Sequence, residues 1–234
     1  IIKIYYRSTP YANKWVISRA GTKTKPIVIK GIPGTGGELP VITGENATTR
    51  TGLLFTNENR GLIKIGTSNV NYIEPNYIEI SNLHLKSARP AYSFTGLYTS
   101  SGVHNYSENA AAIYIELGKN ITIKNCVIED SGNGIFIGSN GKTQNILITK
   151  NYIHNNGISG SFYQHNVYSN AIGITFEYNR FGALRSGCMG NNLKDRSAGT
   201  VIRYNWMNGG NRTLDLVDST ITAVNTHSSY RNTT

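Results

Sequence analysis

The strongest constraint on the fold is a repeat of short apolar strands in the second half of the chain. The asparagines Asn125, Asn151, Asn179 and Asn205, which close successive segments, are separated by 26, 28 and 26 residues. Self-similarity at a fixed period in this range is typical of solenoids and propellers. Helical periodicity is absent, and a propeller blade takes about 40 to 45 residues, so coils of short β-strands remain. The sequence therefore predicts an all-β chain folded as a single-stranded parallel β-helix.

Each repeat is a doublet of two strands with alternating apolar and polar residues. The first strands of the doublets are 63–65, 113–115, 135–137, 166–168, 193–194 and 214–216. The second strands, each closed by an Asn, are 77–82, 120–125, 145–151, 173–179 and 200–205. We expect the inward Ile, Val and Leu side chains to stack in the core. An Asn in a turn can bond to backbone groups and to the Asn of the next coil, so the recurrent Asn predicts a ladder.

The repeat also organises the chain along its length. The 234 residues permit one large or two small domains, and the continuous repeat favours one. We expect residues 1–60 to form an N-terminal cap and the first coils, because the end of a repeat stack must be covered. Regular coils follow over 61–218, and 219–234 is a C-terminal tail. The insertion at 87–109 is polar and aromatic, and either binds a ligand or packs on the stack through its own rings.

Charge and composition limit the partners. The net charge of +10 concentrates polyanions near the surface, unless it serves only to keep the protein soluble. The basic residues are scattered and form no nucleic-acid-binding motif, so we expect a uronate-rich polysaccharide rather than nucleic acid. The sequence contains no run of about eighteen apolar residues, so no membrane span is predicted. The cysteines, Cys126 and Cys188, lack metal-ligand spacing, and Cys126 is expected to be a buried free thiol. We expect a monomer that is secreted or at the cell surface, the periplasm included.

The polar residues of the first strands form a predicted outward column. Side chains alternate along a strand, so the neighbours of the inward residues point outward. Aromatic rings beside Asn, Lys and Asp are suited to bind sugars, although Tyr and Phe are also ordinary surface residues of β-strands. The column begins at Lys64, and its candidate substrate-binding residues are Tyr114, Phe136, Asn166, Tyr168, Asn192 and Asp215.

The basic residues at the end of this column permit β-elimination of a uronate. That reaction needs a base for the C5 proton, a cation on the carboxylate and an acid for the leaving O4 oxygen. Lys194 is the candidate base, if neighbouring guanidinium groups favour its neutral form. Arg196 or Arg212 would pair with the carboxylate. His165 and Tyr168 are the candidate proton donors.

Three other interpretations are open. A glycoside hydrolase would need two carboxylates about 5 to 9.5 Å apart, and Asp195 and Asp215 are available. A non-catalytic carbohydrate-binding or adhesion module would use the same column without cleavage. Lys194 and Arg196 would also be explained as surface ion pairs with these aspartates.

Several segments resemble a known group. They are PIVIKG, NAAAIYIE, GNGIFIG, HNVY, FEYNRFG, NNLKDRSAGTVIRYN and GGNRTLDLVD. From about Ser8 to Asp218 the chain resembles bacterial right-handed parallel β-helix repeat proteins of the pectate-lyase superfamily, which implies a right-handed coil.

The chain is more distantly similar to alginate lyases and chondroitinase B. In those lyases a strand Lys acts as base and an Arg of the next coil as acid, commonly with calcium. The resemblance therefore implies Ca²⁺ as a candidate cofactor and assigns the base to Lys194. Where the Arg of that family would stand, this chain has the strand 214–217, so Arg196 or Arg212 would have to substitute.

Overall fold

The computed structural model describes residues 1–50, 55–67, 73–97, 101–138 and 141–232. This part of the chain is all-β and consists of three long, mainly parallel sheets, which is consistent with a β-helix-like solenoid. Sheet 1 contains, in chain order, β1 (Ile2–Tyr5), β3 (Ile27–Ile32), β7 (Asn76–Ser81), β12 (Gly118–Lys124), β15 (Thr143–Thr149), β18 (Ile172–Glu177) and β21 (Ala198–Arg203).

Sheet 2 is the longest of the three. Its strands are β2 (Asn13–Ile17), β5 (Ala47–Thr49), β6 (Gly61–Ile65), β9 (Ser93–Gly96), β10 (Gly102–Asn105), β11 (Ala111–Ile115), β14 (Asn133–Ile137), β17 (Val167–Ser169), β20 (Leu193–Asp195) and β23 (Leu214–Leu216). Sheet 3 contains β4 (Val41–Thr43), β8 (His84–Lys86), β13 (Val127–Ile128), β16 (Tyr152–Ile153), β19 (Arg180–Phe181) and β22 (Trp206–Met207). A 3₁₀ helix covers Glu58–Arg60, and the short helix α1 covers Thr222–Asn225.

From β11 to β23 the chain visits the three sheets in a fixed rotation, from sheet 2 to sheet 1 to sheet 3 and back. Each strand from β11 to β20 pairs in parallel with the strand one coil earlier and the strand one coil later in its sheet, whereas β21, β22 and β23 lie at the sheet ends and pair only with the earlier strand. The predicted first strands all lie in sheet 2 and the second strands in sheet 1, which confirms the doublet. The short strands of sheet 3 from β13 to β22 have only two residues each, too few for alternation to be visible in the sequence.

The strand register places side chains of similar type above one another in the core. Ile63, Ile113, Ile135, Val167 and Leu193 are successive partners on one ladder of sheet 2, and all five are fully buried. Burying a side chain of this size contributes roughly 1.5–3 kcal/mol. Because a shift of one residue would turn each of these side chains to solvent, the apolar pattern fixes the register.

The turn from sheet 1 to sheet 3 carries the predicted asparagine ladder. Asn179 Oδ1 accepts hydrogen bonds from the backbone N–H and the side-chain Nδ2 of Asn151, both at 3.0 Å. Asn205 Oδ1 accepts the same two bonds from Asn179, both at 2.9 Å. Asn125 is not part of the ladder, because Cys126 stands in that position and its backbone N–H donates to Asn151.

Asn125 instead occupies the preceding corner, where the backbone φ is 53°. The corner residues of the later coils share this left-handed conformation: Lys150, Tyr178 and Tyr204. Asn adopts positive φ more readily than most residues do, so an Asn is favoured at the corner as well as in the ladder. This is why an even spacing of asparagines did not distinguish the two positions.

Residues 1–60 contribute strands to all three sheets, and whether this segment acts as a cap stays a prediction. In the insertion 87–109, β9 and β10 form an antiparallel pair that extends sheet 2 beside β5. Phe94 and Tyr106 are 2% exposed and, with Phe55, surround the buried ammonium of Lys14 at 4.1–4.9 Å from the ring centroids. The described part of the insertion is therefore packed on the stack by its own rings.

Candidate functional site

One ladder of sheet 2 carries most of the predicted site. From β6 to β20 the flanking Ile, Val and Leu residues are buried, so the residues between them point away from the core. On β23 the flanking Leu214 and Leu216 are themselves exposed, and Asp215 joins the ladder as the register partner of Lys194. We call this ladder the sheet 2 row. Its members, in register from strand to strand, are Lys64, Tyr114, Phe136, Tyr168, Lys194 and Asp215. Five strands at about 4.8 Å spacing place Tyr114 and Asp215 about 19 Å apart, a length that can accommodate several sugar rings.

The row is closed at its Lys64 end. The Lys64 ammonium lies 3.0 Å from Glu116 Oε2 and donates to the backbone and side-chain oxygens of Thr56, at 3.1 and 2.7 Å. Its side chain is fully buried. Burial lowers the pKa of Lys64, and the Glu116 carboxylate opposes that shift. Lys64 thus belongs to the supporting structure, and the accessible row begins at Tyr114.

The aromatic residues of the row pack on one another. Phe136 and Tyr168 are stacked with their centroids 4.9 Å apart and their planes 10° apart, while Tyr114 meets Phe136 edge-on at 5.8 Å. The Arg60 guanidinium lies 5.3 and 5.1 Å from the Tyr114 and Phe136 centroids. Because Phe136 and Tyr168 are stacked at about the strand spacing, a sugar ring on the row would meet the edges of these two rings and not their faces. The Tyr114 ring is turned by 68° from that of Phe136.

At the far end of the row, two cations share one carboxylate. Lys194 Nζ lies 3.6 Å from Asp215 Oδ2, and Arg212 Nη1 lies 3.8 Å from Asp215 Oδ1. The Arg212 side chain is 63% exposed, whereas that of Lys194 is 22% exposed. Asn191 Nδ2 donates to Asp215 Oδ2 at 2.7 Å and fixes the carboxylate. The cluster carries one net positive charge and exposes a guanidinium, so it is suited to an anionic ligand.

His165 is a buried neighbour of this cluster. It is 2% exposed, and its Nδ1 accepts a hydrogen bond of 2.9 Å from the backbone N–H of Asn191. Burial, together with the positive charges of Lys194 and Arg196, lowers the pKa of His165 to about 4. The imidazole is therefore neutral at neutral pH and carries its proton on Nε2. It can donate a hydrogen bond, but it is poorly suited to be the proton donor of the reaction.

Two predicted substrate-binding residues lie inside the molecule. Asn166 and Asn192 are fully buried, and Asn166 Nδ2 donates to Asn192 Oδ1. Asn192 Nδ2 in turn donates to the backbone oxygen of Asn208 at 2.7 Å. Both asparagines precede the first residue of a strand, so strand alternation does not orient them. They brace the turns that lead into sheet 2 and take no part in an exposed site.

Strand alternation also separates Asp195 from the row. Asp195 is 3% exposed and accepts hydrogen bonds of 2.6 Å from the hydroxyls of Ser169 and Thr200. It faces the opposite side of β20 from Lys194, so Asp195 and Asp215 do not flank a common cleft. The pair expected for a hydrolase is not brought together, and the predicted ion pairing of Lys194 applies to Asp215 alone.

Arg196 is directed to the neighbouring coil. Its guanidinium donates to the backbone oxygen of Asp218. Of the two candidate arginines, Arg212 is therefore the one that shares a carboxylate with Lys194.

The residues around Asp215 do not fit a calcium ion. Calcium takes six to eight oxygen ligands, but Asp215 is bounded by the cationic groups of Lys194 and Arg212 and by the amide of Asn191. Throughout the described ranges, no group of three or more His, Cys, Asp or Glu side chains could hold a metal ion. No step of the proposed reaction is therefore assigned to calcium.

Two residues of the site were missed from the sequence. Asn191 holds Asp215, and Arg60 covers the aromatic stack. Asn191 directly precedes the predicted Asn192, so the Asn pair was a signal, but nothing in the sequence shows which of the two faces the row. Arg60 comes from a 3₁₀ helix just before β6 and lies in sequence far from the rings that it contacts.

No protein-family model, curated protein or solved structure matches the chain. Its resemblance to the pectate-lyase superfamily therefore depends on the sequence segments given above and on the parallel sheets. Among the described residues, none of the helices has the length and apolar character needed to cross a membrane.

Proposed function

We propose that this chain is a right-handed, single-stranded parallel β-helix of the pectate-lyase type that binds an acidic, uronate-containing polysaccharide along the sheet 2 row and cleaves it by β-elimination. We further propose that it acts as a monomer in a secreted, periplasmic or cell-surface location. The fold proposal is supported by the three parallel sheets, their fixed rotation and the asparagine ladder.

The observation that carries the functional proposal is the register of sheet 2. It aligns three aromatic rings with Lys194 and Asp215 on consecutive strands. A polysaccharide lying across the strands would cross the aromatic edges and then reach the cationic cluster. The overall charge of +10 favours the approach of a polyanion to such a row.

The reaction is assigned to the residues at the end of the row. Arg212 binds the uronate carboxylate and reduces the charge that builds up when the C5 proton leaves. Lys194, after releasing its own proton to solvent, takes the C5 proton. The C5–H electron pair forms the C4–C5 double bond, and the C4–O4 bond breaks. Asp215 then stabilises the lysine ammonium at 3.6 Å. Tyr168, the strand partner of Lys194, protonates the leaving oxygen.

The proposal is tested by incubating the protein with alginate, pectate and glycosaminoglycans and recording the ultraviolet absorbance of an unsaturated product. We expect a rising absorbance with at least one uronate polymer. Lys194→Ala should abolish the rise and retain binding, whereas Lys119→Ala, which removes a lysine paired with Glu74 away from the row, should leave it unchanged. Full activity of Lys194→Ala would remove Lys194 as the base.

A second candidate function is binding without cleavage. The Lys194–Asp215 ion pair favours it, because an ammonium held by a carboxylate has no lone pair with which to accept the C5 proton. Binding of the polymers without new absorbance would support this adhesion-type module. New reducing ends without absorbance would instead indicate hydrolysis, and a carboxylate pair other than Asp195 and Asp215 would then be required.

A further inference from the structure

Sheet 3 carries a second row of outward-pointing residues, which strand alternation in the sequence does not reveal. Tyr152, Arg180 and Trp206 are register partners on successive strands, and their neighbours Ile153 and Phe181 are fully buried. The three side chains therefore point away from the core. Arg180 is exposed, and Trp206 is 51% exposed. We call these three residues the sheet 3 row.

The Arg180 guanidinium is held between two aromatic rings. Its central carbon lies 4.6 Å from the ring centroid of Tyr152 and 5.0 Å from that of Trp206. Such cation–π contacts orient the guanidinium without using its N–H groups. Within the described part of the chain, Arg180 forms no ion pair, and its side chain has no hydrogen-bond acceptor.

Other arginines of the protein already have carboxylate partners. Arg203 is bound to Glu177 through Nη2 at 2.7 Å, and Arg89 to Asp130 through Nε at 2.8 Å. Glu129, the carboxylate beside His154, is engaged by two histidines: Oε1 lies 2.8 Å from His84 Nε2, and Oε2 lies 3.6 Å from His154 Nε2.

His154 also stacks on Tyr152 with centroids 4.0 Å apart, which fixes one wall of the pair of rings. The sheet 3 row thus presents an oriented guanidinium without a carboxylate of its own.

We propose that the sheet 3 row is a second binding subsite for anionic sugars, in which Arg180 receives a carboxylate or sulfate group between Tyr152 and Trp206. The proposal rests on the proposed function only in the choice of ligand, an acidic polysaccharide. A guanidinium and a carboxylate match in two parallel hydrogen bonds, and little side-chain freedom is lost because the rings already orient the arginine. A long polymer would then contact the protein on sheet 3 as well as on sheet 2.

Trp206 supplies a local probe. The chain has two tryptophans, and the other, Trp15, packs against the core. Titration of the intact protein with oligouronates should change the tryptophan emission, and Trp206→Phe should remove that change. Arg180→Gln should weaken binding by about tenfold, as expected for the loss of charge-assisted hydrogen bonds. Arg180→Lys keeps the charge but not the two parallel bonds. Its affinity should lie between that of the unchanged protein and that of Arg180→Gln.

The matched control is Arg203→Gln, which removes the same charge from an exposed arginine that already has a carboxylate. Its affinity should stay close to that of the unchanged protein. Equal losses in Arg180→Gln and Arg203→Gln would show a general charge effect and overturn the subsite. An emission change that persists in Trp206→Phe would also overturn it, since the signal would then come from Trp15.

Titration with ligands of different chemistry shows which anionic group the sheet 3 row binds. Oligouronates and sulfated glycans should both bind, with the stronger one identifying the preferred group, while a neutral glucan should not. Equal binding of the neutral glucan, or of duplex DNA, would overturn the assignment to anionic sugars. If no polymer is cleaved but the Arg180-dependent emission change is present, the catalytic proposal fails and the subsite stands. If cleavage occurs and Arg180→Gln binds normally, the subsite alone fails.

Discussion

Replacing Asn179 with Ala should show how strongly the coils depend on the asparagine ladder. Its Oδ1 accepts from the backbone N–H of Asn151, and its Nδ2 donates to the backbone oxygen of Ile148 at 2.8 Å. The side chain also bonds to Asn151 Nδ2 and to Asn205 Oδ1. Asn179 is 2% exposed, so water does not readily replace it. The Ala variant leaves the buried backbone N–H of Asn151 without its partner and removes one of the bonds to the Ile148 oxygen.

The unpartnered N–H costs about 1–3 kcal/mol, and the lost bonds from Asn179 Nδ2 to Ile148 and Asn205 cost about 0.5–1.5 kcal/mol each. The free energy of unfolding should therefore fall by about 2–6 kcal/mol. Asn205→Ala is the matched control. Its side chain makes equivalent bonds, to Asn179 and to the Phe176 oxygen at 2.8 Å, but its position is partly exposed. Water can then satisfy the freed groups, and the loss should be about 1 kcal/mol. Neither Asn179 nor Asn205 has positive φ, so relief of backbone strain does not contribute to either variant.

Equilibrium urea unfolding, followed by circular dichroism, measures both variants. Hydrogen exchange gives a local readout, because the Asn151 amide should lose protection in Asn179→Ala. A loss in Asn179→Ala no larger than that in Asn205→Ala would refute the reasoning. So would an Asn151 amide that exchanges as slowly as in the unchanged protein, since the ladder would then not hold that amide.

Two further predictions concern residues near the sheet 2 row. His165 has a pKa of about 4 in the fold, against about 6.5 when unfolded, so stability should be lost as pH falls from about 6.5 to about 4, by about 3 kcal/mol in total. Urea unfolding at pH 7 and pH 4 should show a smaller difference in His165→Gln, and an equal difference would contradict the prediction. Asp195→Ala should lower the free energy of unfolding by about 2–4 kcal/mol, because Ser169 and Thr200 lose their acceptor, while cleavage by the folded fraction persists. Loss of cleavage at unchanged stability would instead give Asp195 a direct role.

The sequence predicted the sheets well because the core has a simple periodicity. Ile113 and Ile135 mark their strands by alternation alone, and their neighbours Tyr114 and Phe136 lie on one ladder as expected. The ladder of Asn151 and the later coils was likewise visible as spacing. The strands of sheet 3 from β13 onward were not assigned, since two residues such as those of β16 contain too little alternation to detect.

The candidate site was only partly predictable, because strand alternation reaches no further than the strand. Within β20 it places Lys194 outside and Asp195 inside, and the error of pairing Asp195 with Asp215 came from ignoring that parity. Before the first residue of the strand, alternation no longer applies. Asn192 turns inward, while Asn191 bonds to Asp215.

The same distinction explains why the sheet 3 row was overlooked. Its residues stand in strands too short to be recognised, and Arg180 acquires its environment only when three coils stack. At a turn or in a two-residue strand, the sequence therefore shows which chemical groups are present but not which of them lie together. The stacking of the coils decides which of those groups meet, and a sequence reading of such a chain is most secure where a residue lies between two buried neighbours of one strand.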